Sequence, residues 1–290
     1  MKEQSYTAIC FGEILWDVLP GGAQPGGAPM NVAYHLNQLG MPAGVLSKKG
    51  KDADGDRLIR FLQEHRVKTS LIQTDNVHPT GKVLATPGRN DEVQYDIVFP
   101  VAWDFIDIAE GAPEKVAAAE LFIFGSLAAR NEHSRSTLFT LLSRATTKIM
   151  DINLRPPHFT RAVIEALLNE ATVLKLNEQE LELLSGWYAF TGSMQEQAEA
   201  LGKRFSIRDI MITRGADGAA YYTAGAFYEH PGIKVNVADT VGSGDAFLAG
   251  FLSRLSKDSS PEEALDFACR LGSFIATQKG ACPEYDPAAI

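Results

Sequence analysis

The chain lacks the features that would point to a membrane, secreted or nucleic-acid-binding protein. Its 290 residues contain no run of the roughly 18 uncharged apolar residues that a membrane-spanning helix needs. The opening stretch, MKEQSYTAICFGEIL, has neither the basic region nor the long apolar region of a signal peptide. A net charge of −9 disfavours broad affinity for nucleic acid or for anionic membranes. A local positive site for a phosphorylated ligand remains compatible with that charge.

Cysteine is scarce, with three residues in the whole chain. Cys10, Cys269 and Cys282 are odd in number, far apart and in no CxxC pair. This pattern predicts unpaired thiols with no metal or disulfide role, and therefore a protein of the reducing cytoplasm.

Several catalytic motifs are also missing. The GK pair at 81–82 lacks both the upstream glycine and the following Ser or Thr of a P-loop. Phe247 stands where a dinucleotide fingerprint has its third glycine, and no HExxH zinc motif occurs. Around Ser243, Val241 and Asp245 occupy the glycine positions of a hydrolase nucleophile elbow. These absences disfavour a P-loop enzyme, a dehydrogenase, a serine hydrolase and a zinc protease.

The composition is that of an ordinary globular protein, with 45% apolar and 22% charged residues. The length suits one large α/β domain. Short apolar runs alternate with helical segments along most of the chain. This alternation predicts a mainly parallel sheet covered by helices on both faces, with ligands at the carboxyl ends of its strands. The strand-like runs are AGVLSKKG, LFIFGS, KIMDINL, TVLKLN and DIMITRG.

One region breaks the alternation. Residues 81–106 contain β-favouring runs on either side of the turn-rich PGRNDE, and they predict a hairpin in place of a strand–helix–strand unit. Together with residues 12–25 they would form a small sheet apart from the main one. The alternative is an edge extension of the main sheet. No internal repeat or low-complexity linker is present, so a second unit would be an insertion into one domain.

The segment ADTVGSGDAFLAGFL carries the strongest candidate site. From Ala246 onward its apolar residues follow helical spacing, so Gly242, Ser243 and Gly244 should lie at a helix N-terminus. Unpaired N–H groups and the helix dipole make such a turn an anion hole for a phosphate. Asp245 would stand beside it, either as an ordinary N-terminal helix aspartate or as the base that phosphoryl transfer requires. The dipole by itself should keep that carboxyl ionised.

A second glycine-rich turn, GGAPMNVA at 26–33, leads into a helix with Asn31 in its first turn. By itself it is a weak signal, because glycines before a helix often form only a turn. Asp17 lies in the apolar run LWDVLP just before it. This residue is either a solvent-facing strand position or a cleft carboxylate, whose two oxygens would suit a pair of sugar hydroxyls.

Two further segments each allow two interpretations. In LKLNEQELELLSG, Asn177 and Glu180 are three residues apart at a helix start. They form a capping box, which local evidence favours, or they hold water around a Mg²⁺ ion. In ITRGADGAAYY, Gly215 and Gly218 join a strand to a hairpin, and this loop is either a plain turn or the floor of a nucleotide site.

Taken together, these motifs resemble the ribokinase-like (PfkB) family of carbohydrate kinases over nearly the whole chain. DTVGSGDAFLAGF is similar to the C-terminal signature of the family, and GGAPMNVAYHLNQLG with GKDADGD is similar to its N-terminal one. DINLRPPHF, LKLNEQE and ITRGADG follow in the family's order. Within the family, the first strand and TQKGACP are most similar to bacterial fructokinases. The resemblance implies a single Rossmann-like α/β domain over 1–290, with a small β-sheet lid formed by about 12–25 and 81–106.

The resemblance also implies the activity, which is ATP-dependent transfer of the γ-phosphoryl group to a sugar hydroxymethyl. Fructose, giving fructose 6-phosphate, is the expected acceptor. Alternatives within the family are a ribokinase, a 2-keto-3-deoxygluconate kinase, for which Arg89 is the nearest candidate cation, and a nucleoside kinase. A non-catalytic sugar- or nucleotide-binding sensor is a further alternative. It is disfavoured because the candidate base and the glycine turn are both present.

Site roles follow from the same resemblance. The expected catalytic residues are Asp245 as the base and the amides of Gly242, Ser243 and Gly244 as the anion hole. The expected sugar-site residues are Asp17, Gly27, Asn31 and Arg155, the last near the sugar or the transferred phosphate. The expected nucleotide and metal residues are Thr213, Gly215 and Gly218, with Asn177 and Glu180 holding Mg²⁺ through water.

The resemblance further implies a potassium site near Asp239, to which Val241 cannot contribute a side-chain ligand. The expected partners are a small-molecule sugar and ATP, with neither nucleic acid nor membrane. An exposed lid edge strand invites pairing with a second copy, so a homodimer through the lid is also expected.

Overall fold

The computed structural model describes residues 6–19, 21–87 and 93–290. Arg89 and most of the PGRNDE turn lie outside these ranges. In the described chain the strands are, in order, β1 Ala8–Phe11, β2 Leu15–Leu19, β3 Gly22–Gly26, β4 Ala43–Gly50, β5 Ile72–Asp75, β6 Gly81–Pro87, β7 Val93–Ile97, β8 Leu121–Gly125, β9 Lys148–Asp151, β10 Val173–Asn177, β11 Asp209–Thr213, β12 Ala219–Thr223 and β13 Ala226–His230.

The helices are interspersed among these strands. The α-helices are α1 Ala28–Gln38, α2 Ala53–Glu64, α3 Ala112–Ala118, α4 Glu132–Leu142, α5 Arg161–Glu170, α6 Glu178–Tyr188, α7 Met194–Phe205, α8 Ser243–Leu255 and α9 Pro261–Ala276. Short 3-10 turns occur at Ala102–Phe105, Leu127–Ala129, Gly215–Asp217 and Pro287–Ala289. Among the described residues, no helix combines the length and the apolar character needed to cross a bilayer.

The main sheet has nine strands in the described chain, in the order β13-β12-β11-β10-β9-β8-β1-β4-β5. All neighbours from β5 to β11 pair in parallel, while β12 and β13 continue the sheet as an antiparallel hairpin. The predicted α/β class with a mainly parallel, helix-flanked sheet is therefore confirmed. The carboxyl ends of β1, β9, β10 and β11 meet at one edge, which is where the candidate residues collect.

Both faces of the main sheet are covered, which explains why its central strands are mainly apolar. β1 has all four of its residues buried. Ile9 and Phe11 pack with α3 to α7 on one face, whereas Ala8 and Cys10 pack with α1, α2, α8 and α9 on the other. Alternate side chains of the strand therefore pack into two separate hydrophobic cores, one on each face of the sheet.

The second sheet is small and separate from the first, in the order β3-β2-β6-β7. β2 pairs antiparallel with β3 and parallel with β6, and β6 pairs antiparallel with β7. Beyond the hairpin, Ala102–Phe105 form a 3-10 turn. Its Trp103 packs into the core that contains α3 to α7. The hairpin is therefore part of an independent sheet and does not extend an edge of the main one.

Two contacts fix this small sheet to the main body. Trp16 on β2 donates its indole N–H to the Asp54 carbonyl at 3.0 Å, beneath the Arg57 guanidinium. On the other side Arg130 donates to the Val98 carbonyl at 2.7 Å, just after β7. Arg130 is itself held by Asp104 at 2.7 Å, and both side chains are almost fully buried. The small sheet is thus anchored through its interior strand β2 and just after its edge strand β7.

Candidate active site

The turn before α8 has the geometry of an anion-binding helix N-terminus. Gly242 is the N-cap and has φ +79°, in the left-handed region. A side chain at this position would collide with Ala281, whose Cα would lie 2.6 Å from the added Cβ. Ser243 N–H makes a long 3.3 Å bond to the Thr240 carbonyl. Within the described chain, the N–H groups of Gly242 and Gly244 have no hydrogen-bond partner, so they are free to face a ligand.

Asp245 follows this turn and is 8% exposed. Its Oδ2 accepts a 2.8 Å hydrogen bond from the Asn31 Nδ2 of α1. Burial, reinforced by the nearby Asp151, raises the pKa of Asp245 to about 6, although Lys175 and the Asn31 bond oppose the change. The helix dipole acting alone would have lowered that pKa. Desolvation of a buried carboxylate outweighs it here.

A buried ion pair lies beneath the turn, and the motif analysis did not find it. Lys175 Nζ on β10 contacts both carboxylate oxygens of Asp151 on β9, at 3.0 and 2.9 Å. Burial alone would lower the pKa of Lys175, but the Asp151 and Asp245 carboxylates outweigh burial and hold it above its usual value. A Cβ added to Gly244 would lie 3.0 Å from this ammonium. The available signal was a charged side chain buried within short, mainly apolar strands, Asp151 at the end of β9 and Lys175 in the middle of β10.

Asp17 lies on β2, on the face that it shares with its cross-strand neighbour Val83. Burial raises the pKa of Asp17 to about 6, with Asp239 and Asp245 adding to the effect and Arg155 opposing it. Asp17 is half-buried, and a Cβ added to Gly26 would collide with its Oδ2. The carboxylate therefore lies against the start of the second glycine turn.

The second glycine turn closes against the end of β1. Gly27 has φ +117°, and a Cβ there would collide with the Glu13 carbonyl oxygen. Glu13 was not singled out from the sequence, yet it is 2% exposed and its Oε1 accepts from the Ala28 N–H at 3.3 Å. Burial raises the pKa of Glu13 to about 7. This carboxyl therefore supports the turn that begins α1.

Asn177 and Glu180 form the capping box that local evidence favoured. Asn177 Oδ1 accepts from the Glu180 N–H at 2.8 Å, and Glu180 Oε2 accepts from the Asn177 N–H at 2.9 Å. Glu180 Oε1 also accepts from the Leu154 N–H at 2.7 Å, in the loop after β9. Each carboxylate oxygen keeps lone pairs for a water molecule. The pair therefore fits a water-mediated role toward a metal ion better than direct ligation.

No group of three or more His, Cys, Asp or Glu side chains within residues 6–19, 21–87 and 93–290 is arranged to hold a metal ion directly. This agrees with the geometry of Glu180, whose oxygens are already engaged with backbone N–H groups.

A cavity of about 480 Å³ joins the residues predicted for the nucleotide. Its walls include Thr213, Gly215, Gly218, Ser243, Gly244 and Phe247. Arg214 N–H bonds to the Gly218 carbonyl at 2.8 Å, so the loop is a tight turn and also lines the cavity. Ser243 and Gly244 of the turn before α8 thus line this cavity, as do apolar side chains such as Val235 and Val237.

Arg155 follows β9 in the chain. It lines a second cavity, of about 530 Å³, together with Tyr95, Asp96 and Ile97 of the small sheet. Burial raises the pKa values of Asp17 and Asp245, and the Arg155 guanidinium opposes this rise at both carboxyls. Arg155 is exposed and, among the described residues, forms no ion pair, so it remains available to a ligand.

Comparisons with known proteins identify the family of this chain. The model of the pfkB family carbohydrate kinases matches residues 8–288, and the chain belongs to this family. A fructokinase of Escherichia coli is 29% identical over 296 residues, covering 93% of each chain. The probable fructokinase-7 of Arabidopsis thaliana is 29% identical over 314 residues, covering 97% of this chain and 90% of that protein.

The fold agrees equally well with a solved structure. The fructokinase of Vibrio cholerae O395, crystallised with fructose, ADP and calcium, superposes with a TM-score of 0.82 and 26% identity. The match covers 96% of this chain and 94% of that one. The ribokinase-like fold expected from the motifs is therefore confirmed.

Proposed function

We propose that the protein is an ATP-dependent sugar kinase that phosphorylates a sugar hydroxymethyl, with fructose as acceptor and fructose 6-phosphate as product. One observation carries the proposal. Asp245 is a buried carboxyl on a helix whose first residues, Ser243 and Gly244, line the cavity of about 480 Å³, and its side chain bonds to Asn31 near the start of α1. A base between an anion-binding turn and a polar cleft is the arrangement that phosphoryl transfer needs.

In the proposed reaction, Asp245 accepts the proton that the acceptor hydroxyl loses during phosphoryl transfer. The acceptor hydroxyl oxygen attacks the γ-phosphorus, its proton passes to the Asp245 carboxylate, and the bond from that phosphorus to ADP breaks. A base with a pKa of about 6 is largely ionised at neutral pH and accepts a proton better than an ordinary aspartate. The free N–H groups of Gly242 and Gly244, with the Lys175 ammonium beneath them, stabilise charge on the transferred group.

The substrates are assigned to the two sides of Asp245. ATP would occupy the cavity of Thr213, Gly215 and Gly218, with its phosphates at the turn formed by Gly242, Ser243 and Gly244. The sugar would occupy the cleft under the small sheet, where Asp17, Gly27, Asn31 and Arg155 supply polar groups. The relative from Vibrio cholerae, solved with fructose and ADP, supports this choice of ligands.

A divalent metal ion belongs to this proposal. Mg²⁺, when bound with ATP, neutralises charge on the β- and γ-phosphates. Asn177 and Glu180 would hold its water molecules, since their geometry allows water-mediated contacts. This assignment rests on the lone pairs that remain on the Glu180 oxygens after the cap is formed.

Three finer assignments stay proposals of the same kind. Potassium would bind near Asp239, whose two oxygens accept the N–H groups of Val241 and Gly280 at 3.0 and 3.3 Å. A homodimer would form through the small sheet, which acts as a lid over the sugar. It is supported by the edge position of β7 and by its exposed Tyr95. A cytoplasmic location remains the prediction made from the three free thiols.

The test is ADP release with MgATP against fructose, ribose, glucose, 2-keto-3-deoxygluconate and adenosine. Asp245→Asn keeps the shape of the side chain and removes the base, so turnover should fall by roughly 10²–10⁴-fold. Calorimetry should show that the variant still binds fructose. Turnover with another acceptor would keep the mechanism and change the substrate. Absence of turnover with every acceptor would reject the kinase and favour a binding protein.

A further inference from the structure

The C-terminal segment formed by residues 280–285 lies directly against the catalytic residues. It is held by α1, where the fully buried His35 places Nε2 at 2.9 Å from the Ala281 carbonyl. That carbonyl can only accept, so Nε2 carries the proton. Tyr34 donates its hydroxyl to the Pro283 carbonyl at 2.8 Å. α1 also carries Asn31, so the segment and Asn31 are fixed to the same rigid element.

Within this segment Cys282 faces Asn31. Its Sγ lies 3.4 Å from Asn31 Oδ1, while Asn31 Nδ2 lies 2.8 Å from Asp245 Oδ2. A carboxylate only accepts hydrogen bonds, so the amide nitrogen must face Asp245. The amide oxygen must then face Cys282, and a thiol is the donor that this oxygen needs. The donor and acceptor roles of the partners thus require the Asn31 amide nitrogen to face Asp245 and its oxygen to face Cys282, as the two distances show.

The thiol keeps its proton in this setting. Burial, with the Asp245 and Asp17 carboxylates adding to it, raises the pKa of Cys282 well above its ordinary value. Cys282 therefore stays a neutral donor at physiological pH.

We propose that Cys282 is a positioning residue for phosphoryl transfer: its S–H···O bond holds the Asn31 amide in the orientation that bonds Asp245. The effect of this positioning on the reaction rate rests on the proposed kinase function. The effect of Cys282 on the pKa of Asp245 is independent of that function. Without the thiol, the amide is free to rotate about its last torsion and present its oxygen to the carboxylate. The base then loses a hydrogen bond that stabilises its ionised form, and its pKa rises.

The test compares Cys282→Ala, which removes the donor, with Cys282→Ser, which keeps one. The carboxyl carbon of Asp245 is titrated by NMR in protein carrying ¹³C-labelled aspartate, with Asp245→Asn identifying the signal. Cys282→Ala should raise the titration midpoint by about half a pH unit. Cys282→Ser should leave it near that of the parent. In an Asn31→Ala background, Cys282→Ala should no longer shift the midpoint, because the effect passes through Asn31.

Kinetics provide the second readout. Cys282→Ala should lower kcat/KM for fructose about threefold to tenfold and shift its acid limb to higher pH. Thermal unfolding measures any loss of packing separately. An unchanged Asp245 titration in Cys282→Ala would overturn the positioning role, even in an active kinase. A shifted titration in a protein that phosphorylates nothing would keep the positioning role and reject the kinase function.

Discussion

Replacing Gly242 by alanine tests the anion-binding turn without removing any polar group. The change adds one methyl group to a residue with φ +79°. That methyl carbon would lie 2.6 Å from the Ala281 Cα, whereas carbon atoms in contact are about 3.5–4.0 Å apart. The turn must therefore move away from the C-terminal segment by about 1 Å, carrying the N–H groups of Gly242 and Gly244 with it.

The expected loss has two parts. A non-glycine residue in the left-handed region costs about 1–2 kcal/mol of stability. A displacement of about 1 Å, or the loss of one preorganised donor, costs about 10²–10³-fold in rate. The variant should therefore fold, unfold at a lower temperature, and show kcat reduced by about 10²–10³-fold. Sugar binding should change little, because Asp17 and Gly27 lie on other elements.

The assay is steady-state ADP release together with thermal unfolding and fructose binding by calorimetry. Gly225→Ala is the matched control. Gly225 also has a left-handed φ of +89°, but an added Cβ there would meet no atom within 4 Å. It lies in the β12–β13 hairpin, at the end of β11 away from Thr213. This control should lose a similar amount of stability and keep its kcat. A folded Gly242→Ala variant with the kcat of the parent would refute the role of the turn.

Two other predictions concern the Asp245 carboxyl and the Arg130–Asp104 ion pair that holds the small sheet. Because Asp245 must be ionised to accept a proton, kcat/KM should fall tenfold per pH unit below about pH 6 and level off above it. An acid limb at the usual aspartate value would contradict the burial argument. Arg130→Met leaves the fully buried Asp104 without its partner and should cost about 3–5 kcal/mol in urea unfolding. Adding Asp104→Leu to the Arg130→Met variant should recover part of that loss. A negligible loss in Arg130→Met would show that the ion pair does not anchor the small sheet.

The sequence alone determined those features that depend on residues close to one another along the chain. Strand and helix periodicity predicted the parallel sheet, and the β-rich runs of 81–106 predicted the hairpin that forms β6 and β7. The Asn177 and Glu180 capping box could be predicted because its partners are three residues apart. The two glycine turns could be placed because glycine followed by helical periodicity is a local pattern.

Only the tertiary structure decided how these pieces form a site. Asp245 and Asn31 are separated by 214 residues, and no local pattern predicts their hydrogen bond. The Lys175–Asp151 pair joins two strands and shows up in the sequence only as charges within apolar runs. The pKa of Asp245 shows most clearly what local sequence patterns do not predict. The local helix dipole predicts a lower value, whereas burial and the charge of Asp151, which arise from the packing of distant segments, raise it to about 6. Local periodicity sets where each element begins, while desolvation and charge at the site depend on every segment that the fold brings together.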